Sequence, residues 1–254
     1  MKILITGANG YIGKSLYNVL KDKYDMTAIS RAELNLLNST AVNLFFKDKT
    51  FDVVIHCAVK GGSRLQQDDW SVLDANLTMY YNLLANKCQF KKLIHFGSGA
   101  EICDNNQPYG FSKEIIRKSV LYNDGFYNLR IFGVFDENEL DTRFIKGNIK
   151  RYINNEPIII HQDKTMDFIY MQDLVKIVEY YVNNDGPKEL NCNYDFITTL
   201  NDIAIIINNL NEYKVNINII NKGQDKPYVG SFKDIGIKFI GLEQGIKEVY
   251  NRLK

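Results

Sequence analysis

A tyrosine four residues ahead of a lysine places a phenol and an ammonium on one face of a helix. The positive charge lowers the phenol pKa, so the hydroxyl can give a proton to a carbonyl oxygen, or take one from an alcohol, near neutral pH. The chain contains this pair at Tyr17–Lys21, Tyr109–Lys113 and Tyr250–Lys254. Only Tyr109–Lys113 follows an apolar run that ends in a small polar turn, Gly97-Ser98-Gly99-Ala100. Ser98 is expected at the carboxyl edge of a sheet, where open α/β folds bind their ligands. The other two pairs are background for so common a spacing.

A second pattern lies at the start of the chain. The apolar run Lys2–Thr6 leads into Gly7-Ala8-Asn9-Gly10-Tyr11-Ile12-Gly13, after which helical periodicity begins. Glycines allow a tight turn and a close backbone approach to a pyrophosphate, and the helix N-terminus offers unpaired N–H groups. A dinucleotide phosphate site is therefore expected, contacted by Gly7, Asn9, Gly10, Tyr11, Ile12 and Gly13. Gly13-Lys14-Ser15 imitates the end of a triphosphate-binding loop, but the first glycine of that motif would fall on Ala8. Beyond the second apolar run, Met26–Ile29, stands Arg31, which suits the 2′-phosphate of NADP. Glu33 lies twenty residues past Gly13 and suits the ribose of NAD, so NADP is preferred and NAD stays open.

These groups need elements to hold them. Lys2–Thr6, Met26–Ile29, Val53–His56, Leu93–Phe96 and Tyr127–Phe132 read as strands buried on both faces. Ile12–Asp22, Ser39–Asp48, Ser71–Cys88 and Pro108–Tyr122 read as helices, with Ser39 and Ser71 as N-caps. Alternation of this kind predicts an α/β fold, a Rossmann-type doubly wound parallel sheet. After about Val134 the rhythm loosens, with apolar stretches at Pro157–Ile160, Val215–Ile220 and Ile235–Ile240, and a small discontinuous α+β substrate-binding annex is expected. Asp167–Val182 looks like a strand end and helix returning to the main sheet. The predicted division is 1–133 plus 167–183 for the dinucleotide domain and 134–166 plus 184–254 for the annex.

Composition narrows the classes. The 254 residues are 45% hydrophobic and 24% charged, with a formal charge of +1, so neither disorder nor a polyanion-binding field is indicated. Nucleic acid and membrane partners are not expected. Cys57, Cys88, Cys103 and Cys192 form no Cys-x-x-Cys pair, which disfavours zinc and a secreted disulfide framework. A cytoplasmic protein without a metal is expected.

Taken together, the chain resembles the extended short-chain dehydrogenase/reductases that act on nucleotide sugars as epimerases, dehydratases and reductases. The resemblance rests on Thr6-Gly7-x-x-Gly10-x-x-Gly13, His56-Cys57-Ala58, Asn76, Ser98, Tyr109-x-x-x-Lys113, Leu129-Arg130-x-Phe132-Gly133, Asp167-Phe168-Ile169-Tyr170 and Asp173, in the family's order. Arg31–Asn38 and Cys57–Gly62 look most like the GDP-L-fucose synthases, and the spacing after Arg31 is similar to dTDP-4-dehydrorhamnose reductases.

The resemblance implies that Tyr109 donates the proton, Lys113 tunes it and holds the nicotinamide ribose, and Ser98 hydrogen-bonds the sugar oxygen. It places His56, Cys57, Ala58, Val59 and Asn35 on the adenosine side, and Phe132 among the cofactor contacts. His161 is given no role. Ala100 stands where fucose synthases carry a cysteine, and Arg143 where they carry a histidine, so 3,5-epimerisation is not expected. Gly99-Ala100 replaces the dehydratases' Asp-Glu pair, and Met166 stands where an arginine is common. The expected activity is reduction of a keto nucleotide sugar at C4. A 4-epimerase with bound NAD and a non-catalytic NADP sensor are the alternatives. The family implies a homodimer through Ser71–Cys88 and Pro108–Tyr122, although those apolar faces could equally cover the sheet.

Overall fold

The structure is a computed structural model that describes residues 1–63 and 67–254. Five runs of apolar and β-branched residues form β1 (Lys2–Thr6), β2 (Asp25–Ile29), β3 (Phe51–His56), β4 (Phe90–Ser98) and β5 (Phe126–Ile131). Between them lie α1 (Tyr11–Leu20), α2 (Ser39–Phe46), α3 (Trp70–Leu84), the short α4 (Ala100–Cys103) and α5 (Pro108–Tyr122). With β9 (Glu189–Cys192) the strands make a six-stranded sheet in the order β2-β1-β3-β4-β5-β9. The pairs β1–β2, β1–β3 and β3–β4 are parallel. This is the expected Rossmann-like fold, and its order reverses beside β1, which makes the carboxyl end of the β1/β3 pair a ligand crevice.

Local sequence explains the borders. Pro108 opens α5 at its first turn, where a missing N–H costs nothing. Ser39 and Ser71 do not cap their helices. Asn38 accepts the Ala41 N–H and Asp69 the Ser71 N–H, because these earlier side chains reach the same orphan donors. One face of the sheet is sealed by α2, α3 and α5: Leu4, Val54 and Leu93 pack with Val42, Phe46, Tyr80, Leu83, Ile116 and Val120. Each fully buried aliphatic side chain here contributes roughly 1.5–3 kcal/mol. Contrary to expectation, β2 is not buried on both faces. Asp25 is exposed and Met26, Thr27 and Ala28 half-buried, because β2 forms the sheet edge.

The chain divides into two compact units, Met1–Arg130 with Val178–Leu190, and Ile131–Ile177 with Asn191–Lys254. Within the second, β6 (Val134–Phe135) pairs with β8 (Ile169–Tyr170), and β7 (Ile158–Asp163) with β10 (Ile217–Gln224). The strand at Asp167–Val182 therefore joins β6 rather than the main sheet, and it leads into α7 (Met171–Asn183). Ile235–Ile240 forms no strand. The remaining helices are α6 (Phe144–Ile153), α8 (Leu200–Asn208) and α9 (Leu242–Leu253). Among the described residues no helix is long and apolar enough to cross a membrane, and no disulfide links the cysteines.

Candidate active site

The turn between β1 and α1 is built so that only glycine fits. Gly7 has φ +66°, and a Cβ there would lie 2.6 Å from the Ala58 N atom. A Cβ on Gly13 would meet the Gly7 carbonyl oxygen at 2.3 Å, so the first turn of α1 sits directly on the loop. The Gly10 N–H donates to Gly7 O at 2.9 Å and closes the turn. This is a cradle that a side chain would fill, at the positive end of a helix.

A cavity of about 350 Å³ opens beside it, at the carboxyl ends of β1, β2 and β3. Of the sequence-predicted contacts, Gly7, Asn9, Gly10, Arg31, Asn35, Cys57, Ala58 and Val59 line it. Tyr11, Ile12 and Gly13 stand in the first turn of α1. Phe132 falls in the second unit, where its ring meets Tyr228 edge-on at 5.5 Å. The Asn35 Oδ1 accepts the Leu37 N–H at 3.2 Å. His56, expected beside Cys57, is buried in the sheet, its Nδ1 sharing a 2.8 Å hydrogen bond with Thr6 Oγ1. Burial lowers its pKa to about 3, so it is a neutral ring that anchors Thr6. The location and apolar walls of the cavity fit a dinucleotide.

Two charged groups, one beside the cavity and one lining it, have partners that the sequence pattern does not show. Glu33 does not project freely: its carboxylate accepts the Ser30 N–H at 2.8 Å and the Ser30 hydroxyl. Lys60 lines the cavity with Arg31 and donates to Ser71 Oγ at 2.7 Å. Its backbone is clamped by the buried Asn76, which accepts the Lys60 N–H at 2.8 Å and donates to Lys60 O and Ser112 Oγ at 3.0 Å each. Only the adjoining Cys57-Ala58 motif hinted at Lys60.

The loop after β3 then reaches the tyrosine. Gly62 has φ +74°, and a Cβ on it would lie 2.7 Å from Tyr109 Cζ. Tyr109 and Lys113 share α5, with the Lys113 Nζ 5.7 Å from the centre of the Tyr109 ring. Lys113 is buried and donates to Phe96 O at 2.6 Å, two residues before Ser98 ends β4. Burial brings its pKa down to about 8, opposed by Glu101. Ser98 Oγ accepts the Ala100 N–H at 3.2 Å. Lys113 thus joins the ring of Tyr109 to the strand that presents Ser98. The arrangement is a phenol, a buried ammonium and a serine hydroxyl on the first unit that also holds the cavity.

Asp167 and Asp173, quoted for their place in the family pattern, have other employment in the second unit. Asp167 Oδ2 accepts from Asn193 Nδ2 at 3.0 Å and Gly230 N at 2.8 Å. Asp173 accepts the Tyr194 hydroxyl at 2.9 Å, the Ile240 N–H at 2.7 Å and the Gly241 N–H at 2.9 Å.

A parallel sheet with a glycine cradle at its switch point, followed by Tyr-x-x-x-Lys, defines a dinucleotide-dependent α/β enzyme. The chain belongs to the NAD dependent epimerase/dehydratase family, which it matches over residues 3–193. It is 24% identical over 246 residues to the CDP-abequose synthase of Yersinia pseudotuberculosis, covering 85% of this chain and 87% of that protein. Its fold superposes with a TM-score of 0.79 on the GDP-mannoheptose C4 reductase of Campylobacter jejuni with NADP bound, at 18% identity over 98% of this chain and 97% of that one. A UDP-glucose 4-epimerase of Thermotoga maritima superposes at 0.81, with 17% identity over 100% and 98%.

Proposed function

We propose that the protein is an NADP(H)-dependent reductase of a keto nucleotide sugar. The observation that carries this reading is the buried Lys113, which stands by the Tyr109 ring and bonds the strand ending in Ser98. Bound in the cavity, a reduced nicotinamide dinucleotide supplies the hydride for the carbonyl carbon. Tyr109 gives its proton to the carbonyl oxygen, Ser98 donates a hydrogen bond to the same atom, and Lys113 stabilises the phenolate that remains. Gly7, Asn9, Gly10, Tyr11, Ile12 and Gly13 would hold the pyrophosphate, with Asn35, Cys57, Ala58 and Val59 on the rest of the cofactor and Lys113 on its ribose. Preference for the 2′-phosphate is supported by Arg31 and Lys60 in the cavity, and by Glu33 being bonded to Ser30. Similarity to the CDP-abequose synthase and the GDP-mannoheptose C4 reductase supports a 4-keto nucleotide sugar as substrate.

The test is NADPH consumption with CDP- and GDP-linked 4-keto-6-deoxy sugars. Turnover with one of them, lowered about a thousandfold in Tyr109→Phe, is expected. No turnover with either, or parental turnover in Tyr109→Phe, contradicts the reading.

A second reading, a 4-epimerase, is favoured by the superposition on the UDP-glucose 4-epimerase. It requires NAD retained through purification, whereas the reductase requires exchangeable NADP, and mass spectrometry of released cofactor separates the two. A homodimer belongs to the leading reading and is supported by exposed aromatic residues, Trp70 and Tyr81 on α3 and Phe111 and Tyr122 on α5.

A further inference from the structure

We propose that Glu101, one turn beyond Ser98, is a positioning residue of this site: its buried carboxylate fixes the Ser98 peptide and supplies a negative charge at the end of the strand that Lys113 bonds. The inference rests on the reading of Ser98, Tyr109 and Lys113 as the reacting constellation.

Glu101 is almost wholly buried, in the short helix α4 that follows Ser98. A buried carboxylate with no function is costly and is normally fully paired. Here the pairing points toward the site. Glu101 Oε2 accepts the Ser98 N–H at 3.4 Å, while Oε1 accepts from Asn128 Nδ2 at 2.9 Å and from Arg130 Nε at 2.5 Å. A Cβ on Gly97 would lie 2.8 Å from Glu101 Oε2 and 2.7 Å from the Asn128 amide, so a glycine before Ser98 leaves the carboxylate its space. Arg130 continues to Glu189 at 2.9 Å, and Glu189 to Arg117 at 2.6 Å. Arg117 lies on α5, the helix that carries Tyr109 and Lys113. A line of alternating charges therefore begins at the Ser98 peptide and ends on the helix of the tyrosine.

The groups acting on Lys113 single out the same residue. The groups that act on it electrostatically are Cys57 and His56 at the end of β3, His95 on β4 and Glu101 on α4, with the Tyr109 ring of its own helix 5.7 Å away. Burial keeps Cys57 a thiol and both histidines neutral. Glu101 is then the anion, among the described residues, that supports the lysine's charge against burial. Burial raises the pKa of Glu101 itself, and Arg130 and Asn128 oppose that rise.

The first readout needs no substrate. In protein labelled with 13C-lysine, the Lys113 resonance, assigned by its loss in Lys113→Gln, is titrated in the parent, in Glu101→Gln and in Glu101→Gln/Arg130→Met. The double variant removes the buried charge of both partners, a change cores often tolerate. Both variants should lower the Lys113 midpoint by about one pH unit, a tenfold change. The alkaline limb of NADPH-dependent turnover should move to lower pH with it, while Glu101→Asp should restore the parental limb. A folded variant in which Lys113 titrates as in the parent overturns the proposal. So does failure of both variants to fold, which would assign Glu101 to the architecture alone. Parental turnover in Tyr109→Phe would instead refute the function and leave the Lys113 shift standing.

Discussion

The family's polar residues are used differently in the two units. In the first, Gly7, Asn9, Arg31 and Asn35 stand around a cavity, and Lys113 is buried beside the ring of Tyr109. In the second, Asp167 and Asp173 are consumed by backbone amides and by the side chains of Asn193 and Tyr194. The difference teaches that a residue in a family pattern can be kept for either of two physical reasons, reaction or loop closure. Its hydrogen-bond partners tell which. The structural carboxylates are those whose lone pairs are filled by nearby N–H groups, whereas the residues of the first unit border a cavity.

The sharpest way to break this contrast is at Asp173. Asp173→Ala leaves the Tyr194 hydroxyl and the Ile240 and Gly241 N–H groups without their acceptor, and should cost about 3 kcal/mol of stability. Chemical denaturation checks it. Unchanged stability with lost activity would move Asp173 into the reaction and erase the distinction.

A somewhat smaller effect is expected at the cradle. In Gly13→Ala the new methyl collides with the Gly7 carbonyl, and relief requires the turn to move. NADPH affinity measured by calorimetry should weaken about tenfold or more, the equivalent of 1–3 kcal/mol of overpacking. An unaltered affinity would mean that the turn does not carry the pyrophosphate.

A third contrast separates the units by pH. His56 titrates near 3 when buried and near 6.5 when unfolded, so the unfolded chain binds more protons between those values. The stability it contributes is complete above about 6.5 and is lost as the pH falls toward 3. Glu139, in the second unit, behaves oppositely: burial raises its pKa to about 8, from about 4.5. Its unfolded form holds fewer protons in that range, so stability falls as the pH rises from about 4.5 to about 8. Amide hydrogen exchange, corrected for intrinsic rate, should show β3 and β4 loosening on acidification and α6 loosening on alkalinisation. Glu139→Gln should flatten the second trend alone. Parallel trends in both regions would contradict the assignment.

Much of the first unit was legible in the sequence because its strands are short apolar runs and its cofactor turn requires glycine at fixed spacing. β1 and α5 fall on their predicted borders, and β3 and β4 begin two or three residues early. The helix caps were missed by one and two residues, since Asn38 and Asp69 compete with the serines after them. β6 and β8 have two residues each and β9 four, too few for a periodicity to register. At the site, Tyr109 stood out among three equal matches through the strand before it. Glu101 could not be found in this way, because what defines it is partners at residues 128 and 130, far along the chain.

In the proposed reaction a hydride from the cofactor held by the first unit reaches a sugar carbonyl, with Tyr109 supplying the proton. Incubation with NADPH deuterated at the transferred position of C4, and a 4-keto-6-deoxy nucleotide sugar, tests it most directly by mass spectrometry of the product. One deuterium on the sugar carbon and one equivalent of NADP are expected, both suppressed in Tyr109→Phe. A sugar that is converted while the deuterium stays with the cofactor, or a product equally formed by Tyr109→Phe, would contradict it.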